Sequence, residues 1–316
     1  MSSLRIILFA WVTSFLIFGG IYFWAEMSYD AEAVKNAEAA SKEKPKPKLA
    51  VKAVSELLEE DEDGSLLPKI AEDGRRPFDV YAAEVQPSAL NVPKVALVIN
   101  RLGMRQRDIT YAINELPKEV SLSFTPYASD LSRWAELARE QGHEVFIELP
   151  MEPLDPEKSD AGNLALTTGN STADNMRNMR VVMSQMSGYV GIMSTHGSRF
   201  TSQRNAMRPI IDELKKRGLM YLDLKTTNYT QGPNLAATEQ VPMAYRDIEI
   251  DNDKNPVEIR TKLRNLEERA LTNGFALGVG SSKLVTMRQV SAWAKELRAK
   301  GILLVPVSAI ASKQPL

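Results

Sequence analysis

The chain has 316 residues, 44% of them hydrophobic, which suits one large domain or two small ones. Its 40 acidic and 39 basic residues leave a formal net charge of −1, excluding a global electrostatic footprint for nucleic acid, and 17 Gly and 17 Pro exclude a collagen-like or low-complexity chain. Cysteine is absent, which removes disulfides, thiol catalysis and cysteine zinc sites; a site built on two imidazoles would need both His143 and His196.

The first element is the apolar run at residues 6–25, IILFAWVTSFLIFGGIYFWA. At about 1.5 Å per residue it covers roughly 30 Å, the hydrocarbon thickness of a bilayer, with Tyr22 and Trp24 near one interface. A signal peptide has a shorter apolar core of about 7–15 residues, and no small-x-small cleavage site follows Ala25. The run therefore predicts an uncleaved single-pass anchor. Arg5 precedes it, while Glu26, Asp30 and Glu32 follow, so residues 1–5 are expected in the cytoplasm and the rest exported. In a bacterium this means the inner membrane, with the C-terminal domain in the periplasm.

Residues 26–74 read as a charged, flexible linker. They include SKEKPKPK at 41–48 and the acidic block EEDED at 59–63, which bury too little apolar surface to offset their ordering entropy. Arg75-Arg-Pro-Phe-Asp-Val-Tyr81 follows as a segment expected to dock on a domain edge through Phe78 and Tyr81.

The domain is assigned to residues 75–316. Short, nearly continuous apolar runs at 94–100, 119–125, 143–149, 188–193, 219–223, 275–280 and 302–307 predict seven buried parallel strands. Helical patterns lie between them at 108–116, 130–141, 172–187, 204–217, 257–273 and 286–300, with Gly142, Gly218, Gly274 and Gly301 after helix ends. Met176, Met179, Met183 and Met186 have the spacing of a buried helix face. Strands alternating with helices predict an α/β fold, either doubly wound or a β/α barrel, with ligand chemistry at the strands' C-terminal ends.

Those ends carry words that resemble the divergent polysaccharide deacetylases, distorted β/α barrels of the carbohydrate-esterase type. The words are V-I-x-x-L-G at 98–103, G-H-E-V-x-x-E-L-P-M-E-P at 142–153, G-Y-V-G at 188–191, G-S-R-F-T at 197–201, R-G-L-M-Y-L-D at 217–223 and L-V-P-V-S at 304–308. The resemblance implies a distorted barrel of about seven strands, a polysaccharide substrate and a zinc site. Its metal positions are replaced here. Asn100 and Arg101 stand where active relatives carry Asp-Asp, Thr195 stands for one ligand histidine and Ser281 for the other. Hydroxyls are poor zinc ligands, and a guanidinium about 5 Å from a dication repels it by roughly 6–7 kcal/mol at an effective dielectric of 20.

The resulting expectation is a pseudoenzyme without metal or other cofactor, binding a cell-envelope glycan or envelope protein. Its contact surface is expected at Arg101, Glu148, Glu152, His196, Ser198, Arg199, Asp223 and Lys225. The alternatives are an active polysaccharide or peptidoglycan deacetylase holding zinc through His196, Asp223 or the Glu148/Glu152 pair, and a structural envelope-assembly protein. Glu148 and Glu152 are expected to tie loops. Asp251 is expected to pair with Arg246 rather than join Asp253 in a cation site, and a helix cap is expected near 254–256.

Overall fold

Residues 53–85 and 92–314 are described by the structure, a computed structural model. The predicted membrane span at 6–25 lies outside them, and among the described residues no helix is long and apolar enough to cross a membrane.

Residues 53–74, nearly half of the expected linker, are folded, which corrects the reading of 26–74 as free tether. A 3-10 turn at Ser55–Leu57 leads into β1 (Leu58–Glu60), which pairs antiparallel with β2 (Leu66–Pro68). The acidic block forms the turn of this hairpin: the Gly64 N–H donates to the Asp61 carbonyl at 2.9 Å. Leu57 and Leu67 are buried. What composition concealed is a distant partner. Buried Arg217 donates from Nη1 to Glu59 Oε1 at 3.0 Å and to the Pro68 carbonyl at 2.7 Å, and from Nε to Glu213 Oε1 at 2.6 Å. Beyond the hairpin, α1 (Pro77–Tyr81) docks as expected: its Tyr81 hydroxyl accepts the Val54 N–H at 2.8 Å, and the Phe78 N–H donates to the Gly218 carbonyl at 3.1 Å. Arg217→Ala should therefore loosen the hairpin selectively. Hydrogen exchange at residues 58–68 is expected to speed up at least about tenfold, from loss of charge-assisted bonds to a buried guanidinium, while exchange in the barrel strands changes little.

The barrel follows in chain order: β3 (Lys94–Leu102), α2 (Gln106–Glu115), β4 (Ser121–Phe124), α3 (Leu131–Glu140), β5 (Val145–Met151), α4 (Thr172–Ser184), β6 (Gly191–His196) and α5 (Arg204–Arg217). It continues with β7 (Met220–Asp223), α6 (Gly232–Thr238), β8 (Met243–Tyr245), β9 (Ile248–Glu249), α7 (Pro256–Asn273), β10 (Phe275–Ser281), α8 (Leu284–Leu297) and β11 (Leu303–Val305). Each of the seven expected strands is present. Gly218 and Gly274 end α5 and α7 in the left-handed conformation, at φ 65° and 84°.

The nine strands β3 to β11 form one parallel sheet, with the order β8-β7-β6-β5-β4-β3-β10-β9 and β11 added beside β3. Its two end strands, β8 and β9, are consecutive in the chain and separated only by Arg246 and Asp247. Three Cα steps span at most about 11 Å, so the sheet must curl until its ends nearly meet. The Arg246 N–H donates to the Asp223 carbonyl on β7 and the Asp247 N–H to the Leu277 carbonyl on β10, at 2.8 and 2.9 Å. The result is a curled parallel half-barrel whose seam is stitched by the chain rather than by a β8–β9 ladder.

Strand residues alternate between two apolar layers. Leu97, Ile99, Phe124, Ile147 and Ile192 pack under the helices with Met179 and Met183, whereas Ala96, Val98, Phe146, Met193 and Leu222 fill the interior. The methionine face of α4 is thus core, as its spacing predicted. Burial on both faces explains why these strands read as continuous apolar runs.

Candidate ligand-binding cleft

At the C-terminal ends of the strands lies a cleft of about 580 Å³. Asn100 and Arg101 at the end of β3, Thr195 and His196 at the end of β6, and Ser281 at the end of β10 all line it, together with Ser198. The four replaced positions therefore come together in space. Of the other expected contact residues, Glu148, Glu152, Arg199, Asp223 and Lys225 do not line this cleft, and each has a structural task.

Glu148 lies beneath the mouth on β5, 3% exposed. Its Oε1 accepts the Arg101 N–H at 2.5 Å. That bond holds Arg101 at φ 57°, the left-handed region that non-glycine residues rarely adopt. Burial pushes the Glu148 carboxyl up to about 7, against the opposing pull of the Arg101 amide and charge. Glu152 holds loops: Oε2 accepts from the Thr168 N–H at 2.7 Å and the Thr168 hydroxyl at 2.6 Å, and Arg199 approaches Oε1 at 3.4 Å. Arg199 also donates to the Leu154 carbonyl at 3.3 Å, and Ser198 Oγ accepts the Leu154 N–H at 2.8 Å.

Asp223 is a hub of the barrel wall. It accepts the Tyr221 hydroxyl at 2.9 Å, the Thr230 hydroxyl at 2.7 Å and the Lys225 N–H at 2.6 Å, and burial raises its proton affinity. Lys225, at φ 44°, turns its ammonium over the Tyr245 ring, 4.2 Å from the centroid. Asp223 is buried and Lys225 exposed, and neither lines the cleft.

His196, also left-handed at φ 56°, is the one imidazole in the cleft among the described residues. Its Nδ1 lies 2.7 Å from Ser159 Oγ, a partner from the loop between β5 and α4. Burial and the neighbouring Arg101 charge lower its proton affinity, with Asp160 opposing them, which favours the neutral ring. His143 is buried near the start of β5, with Nδ1 2.8 Å from the Val120 carbonyl and Nε2 3.1 Å from that of Ile113. The two imidazoles serve opposite ends of the barrel.

The expected Arg246–Asp251 ion pair is replaced by Arg246–Glu249, at 2.8 Å. Asp251 instead accepts the Ser281 N–H at 3.1 Å, the Ser281 hydroxyl and the Thr286 hydroxyl at 2.7 Å, with Lys283 at 3.8 Å. Asp253 accepts the Asn255 N–H at 2.9 Å rather than facing a cation beside Asp251. Asn255 is the expected cap, accepting the Val257 N–H at 2.9 Å at the start of α7.

This donor set does not fit a catalytic zinc. Three His, Asp or Glu side chains able to hold a metal ion do not come together anywhere among the described residues. The acids that line the cleft are engaged already: Asp155 with Lys158 at 2.8 Å, Glu249 with Arg246, and Asp251 with its hydroxyl and amide donors. Ser159, Lys158 and Lys283 were not anticipated as lining residues, because they sit in loops and at a helix start, where no hydrophobic period marks position.

Residues 97–311 match the family model described as divergent polysaccharide deacetylase. The Escherichia coli protein YibQ is 27% identical over 195 residues, 62% of this chain and 60% of YibQ. A Haemophilus influenzae protein is 24% identical over 204 residues, 65% of this chain and 72% of its own. This chain thus matches 60% of the length of YibQ, less than two thirds. The crystal structure of uncharacterized protein ATU2773 from Agrobacterium tumefaciens superposes with a TM-score of 0.75 at 32% identity, covering 78% of this chain and 99% of that one. The curled parallel sheet, the ordered strand-end words and a family match over most of the chain agree: this chain belongs to the divergent polysaccharide deacetylase family.

Proposed function

We propose that the protein is a non-catalytic member of its family: an exported binding module, held at a bacterial inner membrane by residues 6–25, that engages a cell-envelope glycan through the cleft at the barrel mouth. The observation that carries this reading is the joint replacement of the metal positions by Asn100, Arg101, Thr195 and Ser281 around one cleft whose carboxylates are all engaged. Zinc hydrolysis needs three protein ligands and an open water position, and a guanidinium at that place opposes the ion's charge.

The competing reading, a hydrolase with a non-standard site, has in its support the 2.7 Å approach of Ser159 to His196, whose neutral ring is favoured. One experiment separates the two. The full chain in detergent is incubated with acetylated peptidoglycan and chitin oligosaccharides, with and without added zinc, while released acetate and bound metal are measured. The expected result is no acetate above the blank and metal far below one equivalent. Acetate release that is lost in His196→Ala would overturn the proposal.

A further inference from the structure

Charge in the cleft is unevenly satisfied. Arg101, Lys158, Arg246 and Lys283 supply its cations. Lys158 is paired with Asp155 at 2.8 Å, Arg246 with Glu249 at 2.8 Å, and Lys283 lies 3.8 Å from Asp251. Arg101 makes no ion pair among the described residues, although it is exposed on the cleft wall. Its backbone is nevertheless held firmly: the N–H is bound by Glu148 at 2.5 Å, and the carbonyl accepts the Ser282 hydroxyl at 2.9 Å. A left-handed residue fixed at both peptide groups, with its guanidinium outside ion-pair distance of any acid among the described residues, presents a planar fork of donors to the cleft.

We infer that the cleft's ligand is a glycan bearing carboxylates, and that Arg101 is the side chain that binds the carboxylate. The inference rests on the non-catalytic binding reading above and gives it a chemical class. A glycan is favoured over an acidic peptide by the rest of the lining. Asn100, Ser159, Thr195, Thr226 and Asn252 offer hydroxyls and amides that suit a polyol, and no aromatic side chain offers the deep apolar anchor typical of protein interfaces.

The test titrates the full chain in detergent with the disaccharide of N-acetylglucosamine and N-acetylmuramic acid, whose lactyl carboxylate is free, and with the same disaccharide as its neutral methyl amide. An acidic hexapeptide is the third ligand. Arg101→Asn is the variant, because Asn tolerates the left-handed backbone. Wild-type protein is expected to bind the acid at least about tenfold more tightly than the amide, the scale of one charge-assisted bidentate contact. Arg101→Asn should lose that preference and bind acid and amide equally.

Equal wild-type affinity for acid and amide would overturn the carboxylate inference and leave glycan binding standing. Binding of the hexapeptide alone would overturn both the carboxylate inference and the glycan reading, while an unchanged preference in Arg101→Asn would remove Arg101 from the role. Acetate release from the disaccharide would instead sink the non-catalytic reading itself.

Discussion

Glu148→Gln is expected to stabilise the protein at pH 8 by about 2.5 kcal/mol more than at pH 5, measured as the difference from wild type in urea unfolding. The wild-type carboxyl is pushed up to about 7 in the fold, whereas an exposed glutamate titrates near 4.5. Between those values the native state binds the proton that the unfolded chain has released. Wild-type stability at this site is therefore greatest below pH 4.5, falls through the window at up to about 1.4 kcal/mol per pH unit, and levels off above pH 7. Glutamine does not titrate, and its Oε1 still accepts the Arg101 N–H, so the left-handed turn at the mouth is kept. A stability difference that does not change with pH would show that the carboxyl is ionised at no cost, and that its burial is relieved by water.

Asp251→Ala is expected to be the most damaging single change at the mouth. Asp251 is 4% exposed and receives the Ser281 amide together with the Ser281 and Thr286 hydroxyls. Each buried donor left without a partner costs about 1–3 kcal/mol, so the loss should reach about 3–5 kcal/mol. Asp251→Asn retains an acceptor and should cost less than half of that. Thermal and urea unfolding of the three proteins at pH 7 will rank them, and a small effect for both variants would mean that the mouth rearranges to let in water.

Both predictions concern residues whose role the sequence showed only in part. The seven central strands were legible because a parallel sheet covered on both faces leaves continuous apolar runs, as at 94–100 and 145–151. The stitch at β8 and β9 was not: three- and two-residue strands carry no period, and their partners lie far away in the chain. The hairpin at 58–68 was hidden for a different reason. Its acidic turn reads as solvated until Arg217 is placed beside Glu59, a pairing that spans half of the chain.

The same limit applied to the site. Strand-end position and the family words identified Arg101, His196 and Ser281 as lining residues, because topology alone sends them to the mouth. Glu148 and Asp223 stand one turn of geometry away from that rule. They sit on β5 and β7, Glu148 bonded to the Arg101 backbone and Asp223 to that of Lys225, and burial decides their chemistry. Ser159 could be found only by folding, since it reaches His196 from a loop 37 residues earlier.

The hairpin and α1 also determine where the preceding polypeptide joins the barrel. Their contacts run to Gly218, Pro68 and Arg217, and Ala83 donates to Glu144, all at the edge where strands begin. Residues 53–81 are thus packed at the floor of the barrel, at the opposite end of the strands from the opening. The hairpin and α1 therefore plug the strand starts and leave the strand ends uncovered, so that the barrel opens on one side only.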